Sequence, residues 1–427
     1  MTDSQVMAAY RRRTPTSAKV MEQAMRVLPG GTTRRFGYHL PYPLTMDRGT
    51  GPYLIDVDGN RYVDLIYNGL SLIHGHAYPP VTRALQQAAE RGSGWLVGSR
   101  ELVSFAEQLC DRITAFEQVR FTNSGTEAAM LAVKVARAAT GRPAILKAWG
   151  GFHGSYDDLE AGLDGHGELP GRVYLADFGD AESFEAVLAE HEDEIAGIVL
   201  EPLQYTGNVT DAAPEFLQRV QAAAHRAGAL FVLDDCLMLR LAPGGSAEKF
   251  GLRPDITFLG KFIGGGLPMG VVGGNADLMS VVDPRNPRHV YHSGSFNGNL
   301  LACTAGSVSL AELTAARIAM MDQYASRLRS FLERQASDLG IALTTVGDGS
   351  VLCVYLQGHA PRPTQPREDE DTIKTFHLAA LDNGVFLGPG GEMAMATVLD
   401  DEAITQVEAG LSAALGAVAK MLDLSRP

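Results

Sequence analysis

The sequence predicts an α/β fold, with a large domain around a mostly parallel central sheet flanked by helices and a smaller α+β domain. From about residue 80, short apolar runs alternate with longer amphipathic stretches, the pattern of strand–helix–strand units. The chain has 427 residues, more than the ~250 to 300 at which a single core stops growing. Beyond about residue 315 the alternation yields to two helical stretches and apolar runs at 350–356 and 384–387, which read as a second, smaller body. The expected division is an N-terminal segment, 1–60, packing with the small domain, a large domain, 61–315, and a small domain, 316–427.

The chain opens with a basic amphipathic helix and runs into LPGGTTRRFGYHLPYP, rich in turn formers and carrying Arg34 and Arg35. In GPYLIDVDGNRYVDL two alternating runs flank Asp58-Gly59, and the positive φ that Asp-Gly tolerates predicts a hairpin. His74 and His76 follow two apart. Without carboxylate or cysteine partners nearby in sequence, they are not expected to hold a metal. Helical patterns in PVTRALQQAAERG and LVSFAEQLCDRIT precede a strand at 118–122. Further strands are expected at 144–147, 172–176, 197–200, 230–233 and 256–259, with helices in AESFEAVLAEHEDEI and APEFLQRVQAAAHRAG between them and a long helix after Gly306. The stretch HAPRPTQPREDED, Pro-rich and charged, reads as an exposed loop.

Composition narrows the function. A net charge of −14 argues against a nucleic-acid partner, since phosphate backbones require a basic surface. It suits a cationic substrate, or simply solubility. No apolar run approaches the ~20 residues that span a bilayer. The N-terminus MTDSQVMAAYRRR has no signal-peptide core, so a cytoplasmic location is expected. Cys110, Cys236, Cys303 and Cys353 lack metal or redox spacing and read as reduced thiols.

Chemistry concentrates where the strands end. A parallel sheet offers ligands a site at the carboxyl ends of its strands, and five strand ends here carry polar residues. After 118–122 comes Asn123-Ser124-Gly125-Thr126-Glu127 and a helical pattern. That turn can hold an anion at a helix amino terminus, and Ser124 with Glu127 also satisfies a capping box. The next strand ends in Trp149-Gly150-Gly151-Phe152-His153-Gly154, where glycines leave the ring of Phe152 free to lie against a planar ligand. Two further strands deliver Glu201-Pro202 and Asp234-Asp235. The last leads into FLGKFIGGGLPMG, which holds Lys261 where the backbone opens. A lysine desolvated by apolar neighbours can act as an amine nucleophile toward an aldehyde.

Taken in order, RFTNSGTEAA, GGFHG, VLEP, FVLDD, LGKFIGGG and HSGSFNGN resemble the fold-type-I pyridoxal-phosphate enzymes. The resemblance is closest to the class III aminotransferases of the branch that holds glutamate-1-semialdehyde aminomutase and β-amino-acid aminotransferases, and it covers most of the chain. It implies pyridoxal 5′-phosphate as cofactor and Lys261 as the residue that forms the Schiff base and shuttles the substrate proton. Asp234 is implied to pair with the ring nitrogen, and Ser124, Gly125 and Thr126 to hold the phosphate. Phe152 is implied to stack on the ring, with Glu201 and Gln204 nearby. Ser295, where the family usually has a threonine, is implied to reach the phosphate of the neighbouring subunit in a homodimer. Arg34 matches an arginine that takes substrate carboxylates.

Three departures matter for the expected substrate, the first being Arg35, an extra candidate beside Arg34. The usual Asp-Glu is Asp234-Asp235 here, and a second carboxylate-binding arginine of the β-amino-acid enzymes falls at Gly390, with the acid Glu392 close behind. Losing a bidentate arginine removes the natural partner of a carboxylate. The reading that results is transfer of an amino group between an amino acid, glutamate first among candidates, and a carbonyl of a polar or cationic small molecule such as an amino sugar. The alternatives are an aminomutase or epimerase using the same residues, and a cofactor-binding regulator without catalysis, against which Lys261 and Asp234 both argue.

Overall fold

The computed structural model describes residues 3–163, 165–206, 208–363 and 365–424. They form two compact units, 79–318 with 362–365, and 1–78 with 319–361 and 366–427. Segment 61–78 belongs with the N-terminal part because strand Arg61–Asp64 pairs with Tyr53–Asp56 and with Val385–Phe386.

The larger unit is built on seven strands: β1 (Gln118–Thr122), β2 (Ala144–Ala148), β3 (Val173–Ala176), β4 (Ile195–Leu200), β5 (Leu230–Asp234), β6 (Ile256–Leu259) and β7 (Gly270–Gly274), in the order β1-β7-β6-β5-β4-β2-β3. All neighbours run parallel except β7, which is antiparallel to both β6 and β1. Strands β2, β3, β4, β6 and β7 are buried throughout, which explains why β3 and β4 read as unbroken apolar runs rather than alternations. Helix Gly125–Thr140 lays Ala128, Ala129, Ala132 and Ala136 against this sheet, and these small side chains let it sit close to the strands.

Strand β7 was not anticipated, because three of its five residues are glycine. The structure explains them. A Cβ on Gly270 would collide with the carbonyl of Ser124, one on Gly273 with the ring of Phe116, and one on Gly274 would lie 2.7 Å from the Asp255 carbonyl. The long helix expected after Gly306 is instead two, Leu300–Glu312 and Ala315–Asp338.

In the smaller unit the predicted hairpin is present, with Gly59 at φ +85°. A three-stranded antiparallel sheet combines Thr344–Val346, Val351–Tyr355 and Glu392–Ala394. His74 and His76 point to different partners, Thr397 Oγ1 at 2.6 Å and Asp64 Oδ2 at 2.7 Å. The stretch 359–371 is not wholly exposed, and its Thr364 lies outside the described residues. Asp369 is buried, accepts the Leu356 N–H at 2.7 Å and is clamped by Arg367, because the end of strand Val351–Tyr355 needs a polar partner. Among the described residues no helix is long and apolar enough to cross a membrane.

Candidate active site

The carboxyl ends of β1, β2, β4, β5 and β6 converge in the larger unit. At the end of β1, Ser124 caps helix Gly125–Thr140 by accepting the Glu127 N–H at 3.1 Å, while Glu127 accepts the Asn123 N–H at 2.8 Å. The Ser124 half of the capping box therefore forms, while Glu127 reaches one residue further back, to Asn123, and the half-buried amino terminus of the helix lies beside them. At the end of β6, Gly260 leads into Lys261, which holds φ +54°. Left-handed backbone is costly for a side chain of this kind, and such strain concentrates at functional sites.

These two strand ends meet. A Cβ on Gly260 would lie 3.0 Å from the Cα of Gly125, and one on Gly125 would lie 3.2 Å from Cys236 Sγ. Only bare backbone lets the turn before the helix approach the segment that presents Lys261. On β5, which is paired with β6 at Asp234 and Phe258, Asp234 is buried and uses both oxygens. His153 Nδ1 donates to Oδ2 at 2.7 Å, and the Cys236 N–H donates to Oδ1 at 3.0 Å. Burial holds the His153 ring below its ordinary range, and its buried Nε2 has no hydrogen-bond partner.

The loop after β2 closes over this group. The Phe152 N–H donates to Glu201 Oε1 at 3.1 Å, while the Phe152 ring stays 40% exposed. Burial first, and the charge of Asp234 second, push the Glu201 carboxyl well above the ordinary carboxylate range. Gln204 is fully buried and donates to the Trp149 carbonyl at 3.0 Å, its own Oε1 unpartnered. Thr126 Oγ1 accepts the Ser155 N–H at 3.3 Å, which ties the loop to the helix start. Ser295 is exposed, in a segment held by Asn123 donating to Asn297 Oδ1 at 2.9 Å and by Arg120 donating to the His292 carbonyl at 3.0 Å. Asp235 plays a different part from Asp234. Its Oδ2 accepts the Ser246 N–H at 3.0 Å, and burial pushes its carboxyl up to about 7.

Residues 37–415 match the class III aminotransferases. The chain belongs to that family. It is 37% identical to a glutamate-1-semialdehyde 2,1-aminomutase of Myxococcus xanthus over 87% of this chain and 91% of that one. It is 34% identical to a β-phenylalanine transaminase of Variovorax paradoxus, over 97% and 96% respectively. Its fold superposes with a TM-score of 0.89 on an omega-transaminase from Sphaerobacter thermophilus at 32% identity, covering 94% of this chain and 97% of that one.

Class III aminotransferases use pyridoxal 5′-phosphate, and the residues present suit it. A helix amino terminus with serine and threonine hydroxyls suits a phosphate, a primary amine suits an aldehyde, and a buried carboxylate suits a ring nitrogen. The close approach of Gly125 and Gly260 is what brings that helix start beside the segment that presents Lys261.

Two residues escaped the sequence reading. His153 was visible only as part of GGFHG; nothing in its spacing shows that it braces Asp234. Lys147 read as the end of a strand. It is fully buried, and its Nζ donates to the carbonyls of Leu159 and, at 2.8 Å, Ala161.

Arg34 and Glu392 lie in the smaller unit. Arg34 donates to Asn68 Oδ1 at 2.5 Å beside a left-handed run that includes Tyr67, Asn68 and Leu70. It lines an open cavity of about 530 Å³ with Thr32, Thr33, Arg35 and Tyr38. Glu392 Oε2 accepts the Gly390 N–H at 2.9 Å, burial raises its carboxyl, and Arg367 donates to the Gly390 carbonyl at 2.6 Å.

Proposed function

We propose that this enzyme moves an amino group between an amino acid, glutamate in the first instance, and a carbonyl of a polar, cationic small molecule such as an amino sugar. The observation that carries the catalytic part is the meeting of Lys261, the Asp234–His153 pair and one helix amino terminus at the carboxyl end of a single sheet. Pyridoxal phosphate supplies an electron sink for the charge left at the substrate carbon when its proton departs. Lys261 provides the amine that engages the aldehyde and then carries the proton away from substrate Cα. Asp234, steadied by His153, keeps a proton on the ring nitrogen. The Ser124–Thr126 turn holds the phosphate, and Phe152 covers one face of the ring. Glu201 and Gln204 shape the floor.

The proposal extends to assembly and place: a homodimer in which Ser295 reaches the phosphate held by the neighbouring subunit, working in the cytoplasm. Arg34 is assigned to the substrate's anionic end and Glu392 to its cationic end. The Gly390 loop supports the preference for a cation, since a Cβ there would sit 2.5 Å from Glu392 Oε1 and an arginine could enter only by displacing the acid. Gly390→Arg is accordingly expected to lower kcat/KM for the cationic amine about tenfold or more and to leave the reaction with glutamate within a factor of two or so. An unchanged rate with the amine would remove Glu392 from the account.

The relatives at 34–37% identity include aminomutases, which supports a second reading in which the amino group moves within one molecule. An absorption spectrum of the purified protein before and after glutamate separates the two. Loss of the visible cofactor band on adding glutamate is the expected result. A band that glutamate leaves untouched, with turnover of an amino aldehyde in the absence of any keto acid, would establish the mutase.

A further inference from the structure

Lys147 is a buried ammonium that the reaction as assigned above does not use. Its side chain has no solvent exposure, and removing such a charge from water is expensive unless partners replace the water. Two carbonyls do so, those of Leu159 and Ala161, at the close of the short turn Asp157–Glu160. The same turn is held from its other side by Asp158, whose carboxylate meets Arg137 at 2.8 Å and Arg172 at 2.5 Å. Lys147 stands just before the Trp149–Tyr156 loop and its two acceptors just after it. One side chain therefore closes the base of the loop that carries Phe152 and His153.

Register gives a second reason for an ammonium at this point, since Lys147 pairs with Val199 on β4, whose end leads into Glu201. Glu201, Glu160 and Asp234 all attract it, Glu201 most strongly, while burial pushes its own proton affinity down to about 8. In return Lys147 opposes the desolvation that drives Glu201 toward its protonated form. A methionine would fill the volume without the burial cost, so packing alone does not account for the charge. Lys147 is also sealed from solvent.

We propose that Lys147 is a positioning residue that staples the Trp149–Tyr156 loop and serves as the counter-charge to Glu201 and Asp234. The inference rests on the proposed assignment of Phe152, Asp234 and Glu201 to the cofactor's surroundings.

The test compares wild type, Lys147→Met, Lys147→Arg and Lys147→Met/Glu201→Gln, each reconstituted with pyridoxal phosphate. Removing a cation raises the proton affinity of what surrounds it. In Lys147→Met the pH midpoint of the bound cofactor's visible band is expected to move up by about half a unit or more, with cofactor affinity reduced about tenfold. Lys147→Arg, which keeps the charge, should restore the midpoint. A folded Lys147→Met protein with an unmoved midpoint would overturn the proposal, even with a lowered Tm, since a purely structural lysine would lower Tm alone. Should Lys147→Met fail to fold, the double variant decides. Recovery of folding on neutralising Glu201 supports the counter-charge, and failure to recover overturns it. Absence of a cofactor band in the wild type would instead overturn the proposed function, and this inference with it.

Discussion

Lys261→Ala is expected to lower turnover by roughly 10³-fold or more while the protein still folds, and to abolish the visible band of lysine-bound cofactor. Position matters here as much as chemistry. Lys261 keeps φ +54°, a conformation that costs a non-glycine residue roughly 1–2 kcal/mol, and the cost is borne where Gly260 and Gly125 touch. Lys261→Gly removes the amine and the strain together. The cofactor-free glycine variant is expected to be more stable than wild type by about 1 kcal/mol in urea titration, although inactive. Turnover of either variant within tenfold of wild type would mean that another group carries the proton.

The second large effect separates two adjacent carboxylates. Asp234→Asn is expected to cost roughly 10²- to 10⁴-fold in kcat/KM, because an amide cannot counter a protonated ring nitrogen. It also has one oxygen where two donors, His153 Nδ1–H and the Cys236 N–H, now find two. Asp235→Asn should keep activity within a few-fold and change stability instead. With its carboxyl pushed up to about 7 from an ordinary value near 4, Asp235 contributes stability that is fully present below about pH 4 and lost as pH rises through about 7. Asparagine still offers an oxygen to the Ser246 N–H but cannot ionise. At pH 8 the Asp235→Asn protein should therefore be more stable than wild type by on the order of a few kcal/mol, a difference that shrinks toward pH 4. Equal urea midpoints at pH 8 would contradict that account.

Contiguous signals made much of this legible. Ser124, Asp234 and Lys261 each stand at a strand-to-turn junction, and such junctions are written in a few neighbouring residues. Residues that act at a distance were not. Lys147 satisfies carbonyls 12 and 14 residues further on, and a lysine closing an apolar run looks the same whether its amine meets solvent or a buried loop. His153 reaches 81 residues ahead to Asp234. Strand β7 was hidden because its glycines answer to Ser124, Phe116 and Asp255, far away in sequence, rather than to β propensity. The clamp of Arg367 on Asp369 was masked by the prolines and charges around it.

The sheet order has a consequence for synthesis. Strand β1, which ends in the Ser124 turn, lies at the edge of the sheet, and its one neighbour there, β7, emerges about 150 residues later. Pairings so distant along the chain close slowly. On the ribosome, β2 to β6 can pair before β7 has emerged, whereas β1 and the Ser124 turn at its end can join the sheet only after Gly274 has left the exit tunnel.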